Sequence, residues 1–107
     1  MSIETFQIEI YQDNKGQELF VDWLESLSDS RARAKIKVRL ARIRLGNLGD
    51  YKPLGSGLYE LRVDEGIGYR IYFTQDLDKK IILLGGSKKS QSKDIDKARK
   101  CLKDYRS

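Results

Sequence analysis

The chain has 107 residues, a length typical of a single domain (residues 1–107) that buries its core without disulfide or metal cross-links. Charged residues make up 35% and hydrophobic residues 39% of the sequence, which excludes a disordered chain, and the net charge of +5 favours a polyanionic partner such as nucleic acid. One cysteine and no histidine exclude an internal disulfide, a structural zinc site and the Ser-His and Cys-His nucleophile pairs, so any catalysis must use Lys, Arg, Tyr, Glu or Asp.

The first half of the chain is predicted to form one strand and two helices. Residues 6–11 alternate apolar and polar side chains, which is typical of a strand with one buried face. Apolar residues then recur at helical spacing between residues 19 and 27. Residues 31–45 alternate like a strand at first, but their Arg, Ala, Lys and Leu content and the glycine that follows favour a helix. The two helices are expected to form an antiparallel hairpin.

The second half is predicted to form a meander of three strands and a last helix. Residues 46–57 contain the only proline and indicate a surface loop. Strands are expected at residues 58–63, 69–74 and 80–84, and the last of these is apolar enough for the middle of a sheet. A basic loop at residues 87–93 precedes a short amphipathic helix. The fold class is therefore α+β, with an N-terminal strand and the helical hairpin packed on one face of an antiparallel sheet of about four strands.

One pair of predicted strands places two arginines on the same face of the sheet. Six apolar residues of the second and third strands are odd-numbered, so the even-numbered residues share the other, open face. The six are Tyr59, Leu61, Val63, Tyr69, Ile71 and Phe73. On that face Arg62 is expected directly across from Arg70, with Glu60 and Tyr72 beside them. Like charges in this position are destabilising. Either the pair binds a phosphate between the two arginines, or Glu60 neutralises one of them.

Further basic and aromatic residues are candidates for binding. Residues 31–44 contain seven basic residues and no acid, which indicates either a solvated face, screened by the acids of residues 1–28, or a contact with RNA or a partner. Phe20 and Trp23 belong to a helical apolar stripe and are predicted to lie in the core. Tyr72, on the predicted open face, is placed to stack on a base or to bind a phosphate.

Residues 1–6 lack the pattern of a signal peptide, and no stretch approaches the roughly 18 apolar residues of a membrane span. We therefore expect a cytoplasmic protein that does not bind a membrane.

Six segments in order along the chain resemble the HigB-like, phage-derived addiction module killer branch of the RelE/ParE toxin superfamily. The resemblance covers about residues 6–102 and rests on Trp23-Leu24, Arg31-Ala-Arg-Ala-Lys-Ile36, Leu45-Gly-Asn-Leu-Gly-Asp50, Gly57-Leu-Tyr-Glu-Leu-Arg62, Gly68-Tyr-Arg-Ile-Tyr-Phe73 and Gly86-Ser-Lys-Lys-Ser-Gln91. It implies a helical hairpin packed on an antiparallel sheet. It also implies the toxin of a type II toxin-antitoxin module, acting as a metal-independent, ribosome-dependent mRNA endonuclease that uses no cofactor.

The resemblance suggests a role for each candidate residue. Arg70 is the expected stabiliser of charge on the attacked phosphate, Arg62 a second clamp, and Lys88 or Lys89 a group that holds phosphate or assists the leaving oxygen. Glu60 stands where RelE has a lysine, and Ile95 stands near the position of its functional tyrosine. The base is therefore open between Glu60 and Tyr72. Binding of RNA or the ribosome is expected from Lys88, Lys93, Arg31, Lys35, Arg39 and Arg42.

Two other functions remain open at this point. A ParE-like protein would share the fold and inhibit DNA gyrase without chemistry, and a third possibility is a non-toxic RNA-binding or ribosome-binding module. The partners implied by the toxin hypothesis are the ribosome, mRNA and a cognate antitoxin. Such an antitoxin is typically a DNA-binding protein from the same operon, and it forms a hetero-oligomer with the toxin.

Overall fold

The computed structural model describes residues 5–107. Residues 1–4, part of the segment that the sequence predicts to carry no signal peptide, lie outside the described residues. The first half forms β1 (Gln7–Ile10), α1 (Leu19–Ser26) and α2 (Ser30–Arg44). The second half forms β2 (Tyr51–Gly55), β3 (Leu58–Val63), β4 (Tyr69–Asp76), β5 (Lys79–Ser87), a short 3-10 helix (Lys88–Ser90) and α3 (Gln91–Arg106). The α+β class is confirmed.

Within residues 5–107 the sheet has five strands, in the order β1-β5-β4-β3-β2. The meander β3-β4-β5 is antiparallel as predicted, and β5 lies inside the sheet. The fully antiparallel arrangement was wrong for β1, which pairs with β5 in parallel. A parallel pair needs a long crossover connection, and the whole of the chain between residues 10 and 79 supplies it.

The prediction of a loop over residues 46–57 was wrong in its second part, because β2 pairs with β3 there. The sequence signal was misleading because Pro53 lies in this segment. Proline lacks the N–H that an inner strand must donate, but it is tolerated on an edge strand. β2 is the edge of the sheet, and its pairing shifts register between Pro53 and Gly55.

The two predicted helices pack on the odd-numbered face of β3 and β4, as expected. Asp29 caps α2, accepting a hydrogen bond from the backbone N–H of Ala32 at 3.1 Å. The helix buries Ala32, Ile36 and Ile43, which lie on one side at helical spacing. The alternative prediction of a strand over these residues is therefore excluded. The buried residues of this core are Phe20, Leu24, Ala32, Ile36, Ile43, Leu61, Val63, Tyr69, Ile71, Phe73 and Ile82.

The opposite face of the sheet is covered by α3, so the prediction of an open face was wrong over much of its area. The helix begins at Gln91, inside the segment predicted as a basic loop, and runs for 16 residues rather than being short. Ser87 and Ser90 form a capping box at the start of the 3-10 helix that directly precedes α3. The second core contains Tyr11, Leu58, Tyr72, Ile81, Leu83, Leu84, Ala98, Cys101 and Leu102. Within residues 5–107, none of the helices combines the length and apolar character that crossing a membrane requires.

A close contact between α1 and β5 fixes the position of the first helix. Trp23 is half-buried and packs against the first core, while Phe20 is fully inside it. The ring of Trp23 lies so near Gly85 that a Cβ at this position would overlap it. Glycine at position 85 therefore sets how closely α1 approaches the sheet.

We predict that Gly85→Ala lowers the free energy of unfolding by about 1–3 kcal/mol, because the added methyl group forces the indole ring away from the sheet. The same substitution made in a Trp23→Ala background should have a much smaller effect, because the obstructing ring is absent. Urea unfolding of the four proteins in this double-mutant cycle measures both values. An equal loss in both backgrounds would contradict the contact.

Candidate functional site

The pairing of β3 with β4 brings the predicted site residues together. Arg62 lies directly across from Arg70, and Glu60 directly across from Tyr72, as the sequence predicts. Both pairs lie on the sheet face that α3 partly covers. We refer to Glu60, Arg62, Arg70, Tyr72 and the nearby Gln91 as the Glu60 cluster.

Glu60 is completely buried and is the anionic centre of this cluster. Its Oε1 lies 3.4 Å from Nε of Arg62 and 3.8 Å from Nε of Arg70, and its Oε2 accepts a hydrogen bond of 2.7 Å from Gln91. A buried carboxylate is tolerated only when it is paired and hydrogen-bonded. Glu60 is thus the counter-anion that the two facing arginines share, and its single negative charge offsets one of their two positive charges.

The two arginines differ in how far they reach the surface. The side chain of Arg62 is 36% exposed, whereas that of Arg70 is 9% exposed. Nη1 of Arg70 donates to the carbonyl of Tyr69 at 3.0 Å, but its buried Nε has no hydrogen-bond partner among residues 5–107. The Nε–H group of Arg70 is therefore a hydrogen-bond donor without an acceptor among these residues.

A cleft of about 420 Å³ opens beside Arg70. It is lined by Arg70, Lys88 and the β3–β4 turn, residues 64–68. The backbone N–H of Lys88 donates to the carbonyl of Gly68 at 3.0 Å, which holds the start of the 3-10 helix against this turn. One cation from the sheet and one from the 3-10 helix therefore border the same cleft, together with the acidic residues Asp64 and Glu65 of the turn.

Tyr72 is not exposed, so the prediction of an open stacking ring was wrong. Residues of α3 cover it within the second core. Its hydroxyl is buried and makes no hydrogen bond within residues 5–107. Burial, with the negative charges of Glu60 and Asp94, raises the pKa of this hydroxyl above its ordinary value of about 10. At neutral pH it is therefore a proton donor and not a base.

The remaining predicted cations lie in two places. Lys89, in the 3-10 helix, and Lys93, in the first turn of α3, are exposed, and neither is among the residues that line the cleft. The basic residues of α2 belong to the helix on the other face of the sheet, and Arg31 and Arg42 are exposed there. Lys35 reaches the β3–β4 turn, donating to the carbonyl of Asp64 at 2.9 Å and pairing with Glu65 at 3.5 Å.

Arg39, a predicted RNA contact, is occupied inside the protein. Its guanidinium donates to the carbonyls of Arg62, Leu48 and Asp50, and burial lowers its pKa. It fastens α2 to β3 and to the segment before β2. Its role in this structure is to position the end of the strand that carries Arg62.

Sequence reasoning missed Gln91 because it assigned residues 87–93 to a loop. The available signal was the capping pair Ser87 and Ser90, which places a helix start next to the strands that carry the arginines. Within residues 5–107 no group of three or more His, Cys, Asp or Glu side chains is placed to hold a metal ion.

Two comparisons with known proteins bear on this site. Residues 22–103 match the family described as phage-derived protein Gp49-like (DUF891). An uncharacterized protein of Haemophilus influenzae is 47% identical to the chain over 81 residues, which is 75% of this chain and 82% of that protein. The family match contains every residue of the Glu60 cluster and the whole cleft beside Arg70.

The buried hydroxyl of Tyr72 predicts how stability depends on alkaline pH. Above pH 10 the hydroxyl ionises in the unfolded chain but stays protonated in the folded one, so the folded state binds more protons and loses stability as pH rises, by up to about 1.4 kcal/mol per pH unit. Tyr72→Phe removes this contribution. The variant should unfold like the wild type near neutral pH and lose less stability above pH 10.

Denaturant unfolding of both proteins between neutral pH and about pH 11 tests this. Burial also raises the pKa values of Tyr11 and Tyr105, so both the wild type and Tyr72→Phe should still lose some stability at alkaline pH. Tyr51→Phe, which removes the hydroxyl of an exposed tyrosine, is the matched control for the loss of a hydroxyl group as such. Equal slopes for Tyr72→Phe and the wild type would show that Tyr72 ionises freely in the folded protein.

Proposed function

The chain belongs to the Gp49-like family of phage-derived proteins, which are in general RelE/ParE-like toxins, and we propose that it is the toxin of a type II toxin-antitoxin module. Within that superfamily we assign it to the HigB-like branch. Its activity is then ribosome-dependent cleavage of mRNA, which blocks translation.

The observation that carries this proposal is the pair of facing arginines, one of which borders a cleft together with Lys88 and the acidic residues Asp64 and Glu65. Guanidinium groups bind phosphate through forked, charge-assisted hydrogen bonds. Arg70 borders the cleft together with Lys88, and Arg62, directly across from Arg70 in the sheet, is partly exposed. Without RNA, Glu60 is the counter-anion of both arginines. A phosphodiester that enters the cleft replaces part of this pairing and gains two preorganised donors.

The chemistry proceeds by attack of the RNA 2′-OH on the adjacent phosphorus. The bond from phosphorus to the 5′-oxygen of the next nucleotide breaks, leaving a cyclic 2′,3′-phosphate and a 5′-hydroxyl. Negative charge grows on the phosphorane oxygens, and Arg70 with Arg62 stabilises it electrostatically, without a metal. Lys88 or Lys89 holds the phosphate or assists the departing 5′-oxygen.

Glu60 is the better candidate for the base that takes the 2′-OH proton. Tyr72 stays protonated at neutral pH because burial raises its pKa. Glu60 is a carboxylate in contact with Arg62, which reaches solvent. Since Glu60 is completely buried here, it can act as the base only if RNA binding moves the arginine side chains apart.

The proposal also specifies where the protein works and with what. A ribosome-dependent nuclease acts in the cytoplasm on the ribosome and its mRNA, and it needs a cognate antitoxin to restrain it. The exposed cations Lys89, Lys93, Arg31 and Arg42 are available for ribosomal phosphates.

We predict that Arg70→Ala lowers the rate of mRNA cleavage by about a hundredfold to a thousandfold, because one preorganised donor to the phosphorane is lost. The measurement is cell-free translation of a defined mRNA with purified protein, followed by mapping of the new 5′ ends. Ribosome-free mRNA is the control for ribosome dependence. Arg70→Lys retains a charge without the fork and should be intermediate.

Arg99→Ala is the matched arginine control, because Arg99 is exposed on α3 and bonds to the carbonyls of Leu54 and Gly55 away from the cleft. It should cleave like the wild type, and circular dichroism should show all variants folded. Intact mRNA with a folded wild-type protein would contradict the nuclease assignment. Inhibition of gyrase supercoiling that survives Arg62→Ala and Arg70→Ala would instead support the ParE-like function.

A further inference from the structure

The helix α2 carries a second apolar stripe on the side turned away from the sheet. Its buried stripe, Ala32, Ile36 and Ile43, faces the core. Half a turn around the helix, Ala34, Val38 and Ala41 follow one another at intervals of four and three residues. Leu45, the C-cap residue that directly follows α2, comes four residues later, and all four are exposed. Val38 is 48% exposed and Leu45 is 69% exposed. We call these four residues the outer stripe.

The spacing of the outer stripe is that of a coiled-coil seam. Apolar residues at alternating intervals of three and four occupy positions a and d of a heptad. Val38 and Leu45 then take the a positions, and Ala34 and Ala41 take the d positions. Small residues at d allow a second helix to approach closely.

The charges beside the outer stripe follow the same register. Lys35 and Arg42 take the e positions on one side, and Lys37 and Arg44 take the g positions on the other, so both flanks are basic. All four are exposed, although Lys35 is also held by Asp64 and Glu65. Residues at e and g determine which partner helix is accepted.

We propose that the outer stripe of α2 is a docking surface for a helix of another protein that has apolar residues at a and d and Asp or Glu at e and g. A second copy of this chain would place basic flanks against basic flanks, which repel. A nucleic acid would use the basic flanks but has no use for Val38 and Leu45. Only an acidic amphipathic helix matches the stripe and both flanks. This surface is distinct from the Glu60 cluster, and the proposal holds whether or not the protein cleaves mRNA.

The test uses the full chain and a fluorescent synthetic peptide of about 21 residues, or three heptads, with Leu at a and d and Glu at e and g. A second peptide, with Lys in place of every Glu, is the charge control. We expect the Glu peptide to bind in an anisotropy titration and the Lys peptide not to bind. Val38→Ser with Leu45→Ser should weaken binding about tenfold or more, because the apolar contact is lost while every charge remains.

Two further variants sharpen this test. Leu77→Ser is the matched control, because Leu77 is an apolar residue, 94% exposed, on the turn between β4 and β5 and away from α2. It should bind like the wild type. Lys37→Glu with Arg44→Glu leaves two basic and two acidic residues beside the stripe, so it should weaken binding of the Glu peptide, strengthen binding of the Lys peptide and remove most of the preference between them.

Four outcomes would overturn the proposal. One is absence of binding by the Glu peptide, and another is equal binding of the two peptides. A third is an RNA duplex that displaces the Glu peptide and binds Val38→Ser with Leu45→Ser as tightly as it binds the wild type. The fourth is sedimentation of the chain as a dimer that this double substitution dissociates, which would identify a second copy as the occupant. Because mRNA cleavage is a separate assay, failure here is distinguishable from failure of the nuclease proposal.

Discussion

The buried carboxylate of Glu60 between Arg62 and Arg70 is the interaction on which the proposed site depends. The pairing of β3 with β4 makes it unavoidable, because the register that buries Leu61, Val63 and their partners also sets the two arginines opposite each other. The Glu60 carboxylate lies between the two arginines and accepts a hydrogen bond from Gln91, which makes the arginine pair compatible with a stable sheet. In the function that we propose, the same arrangement holds both guanidinium groups in place for a competing anion, so the stability of the sheet and the proposed phosphate binding have a common origin.

Much of this could be predicted from the sequence, because period-2 and helical patterns report which face of an element is buried. The register of Arg62 with Arg70, the inner position of β5 and the helix over residues 30–44 all follow from such patterns. These patterns do not predict burial correctly where a strand face that carries polar residues is covered by an element distant in sequence. Nothing local shows that α3 covers Tyr72, since the sheet residue and the helix are distant in sequence.

The edges of the sheet and the roles of single side chains were also beyond local patterns. β2 contains Pro53 and has only one neighbouring strand, and β1 joins β5 by a contact across nearly the whole chain. Arg39 looks like the other arginines of α2, yet it bonds to backbone carbonyls. The sequence shows which segments are basic. Only the hydrogen bonds of the folded protein distinguish a cation that holds elements together, such as Arg39, from the exposed cations of α2. The outer stripe lies on α2, which covers one face of the sheet, and the Glu60 cluster lies on the opposite face.

The central claim is that an RNA phosphate replaces Glu60 as a partner of the two arginines, and NMR of the guanidinium Nε–Hε groups tests it most directly. The ligand is an RNA oligonucleotide with a 2′-deoxy sugar at the cleavage position, which binds without reacting. The account predicts that the Arg62 and Arg70 signals move together and reach saturation, while the signal of Arg99, bonded to Leu54 and Gly55, stays in place. Saturation of the RNA-bound protein with both cluster signals unmoved would contradict the claim.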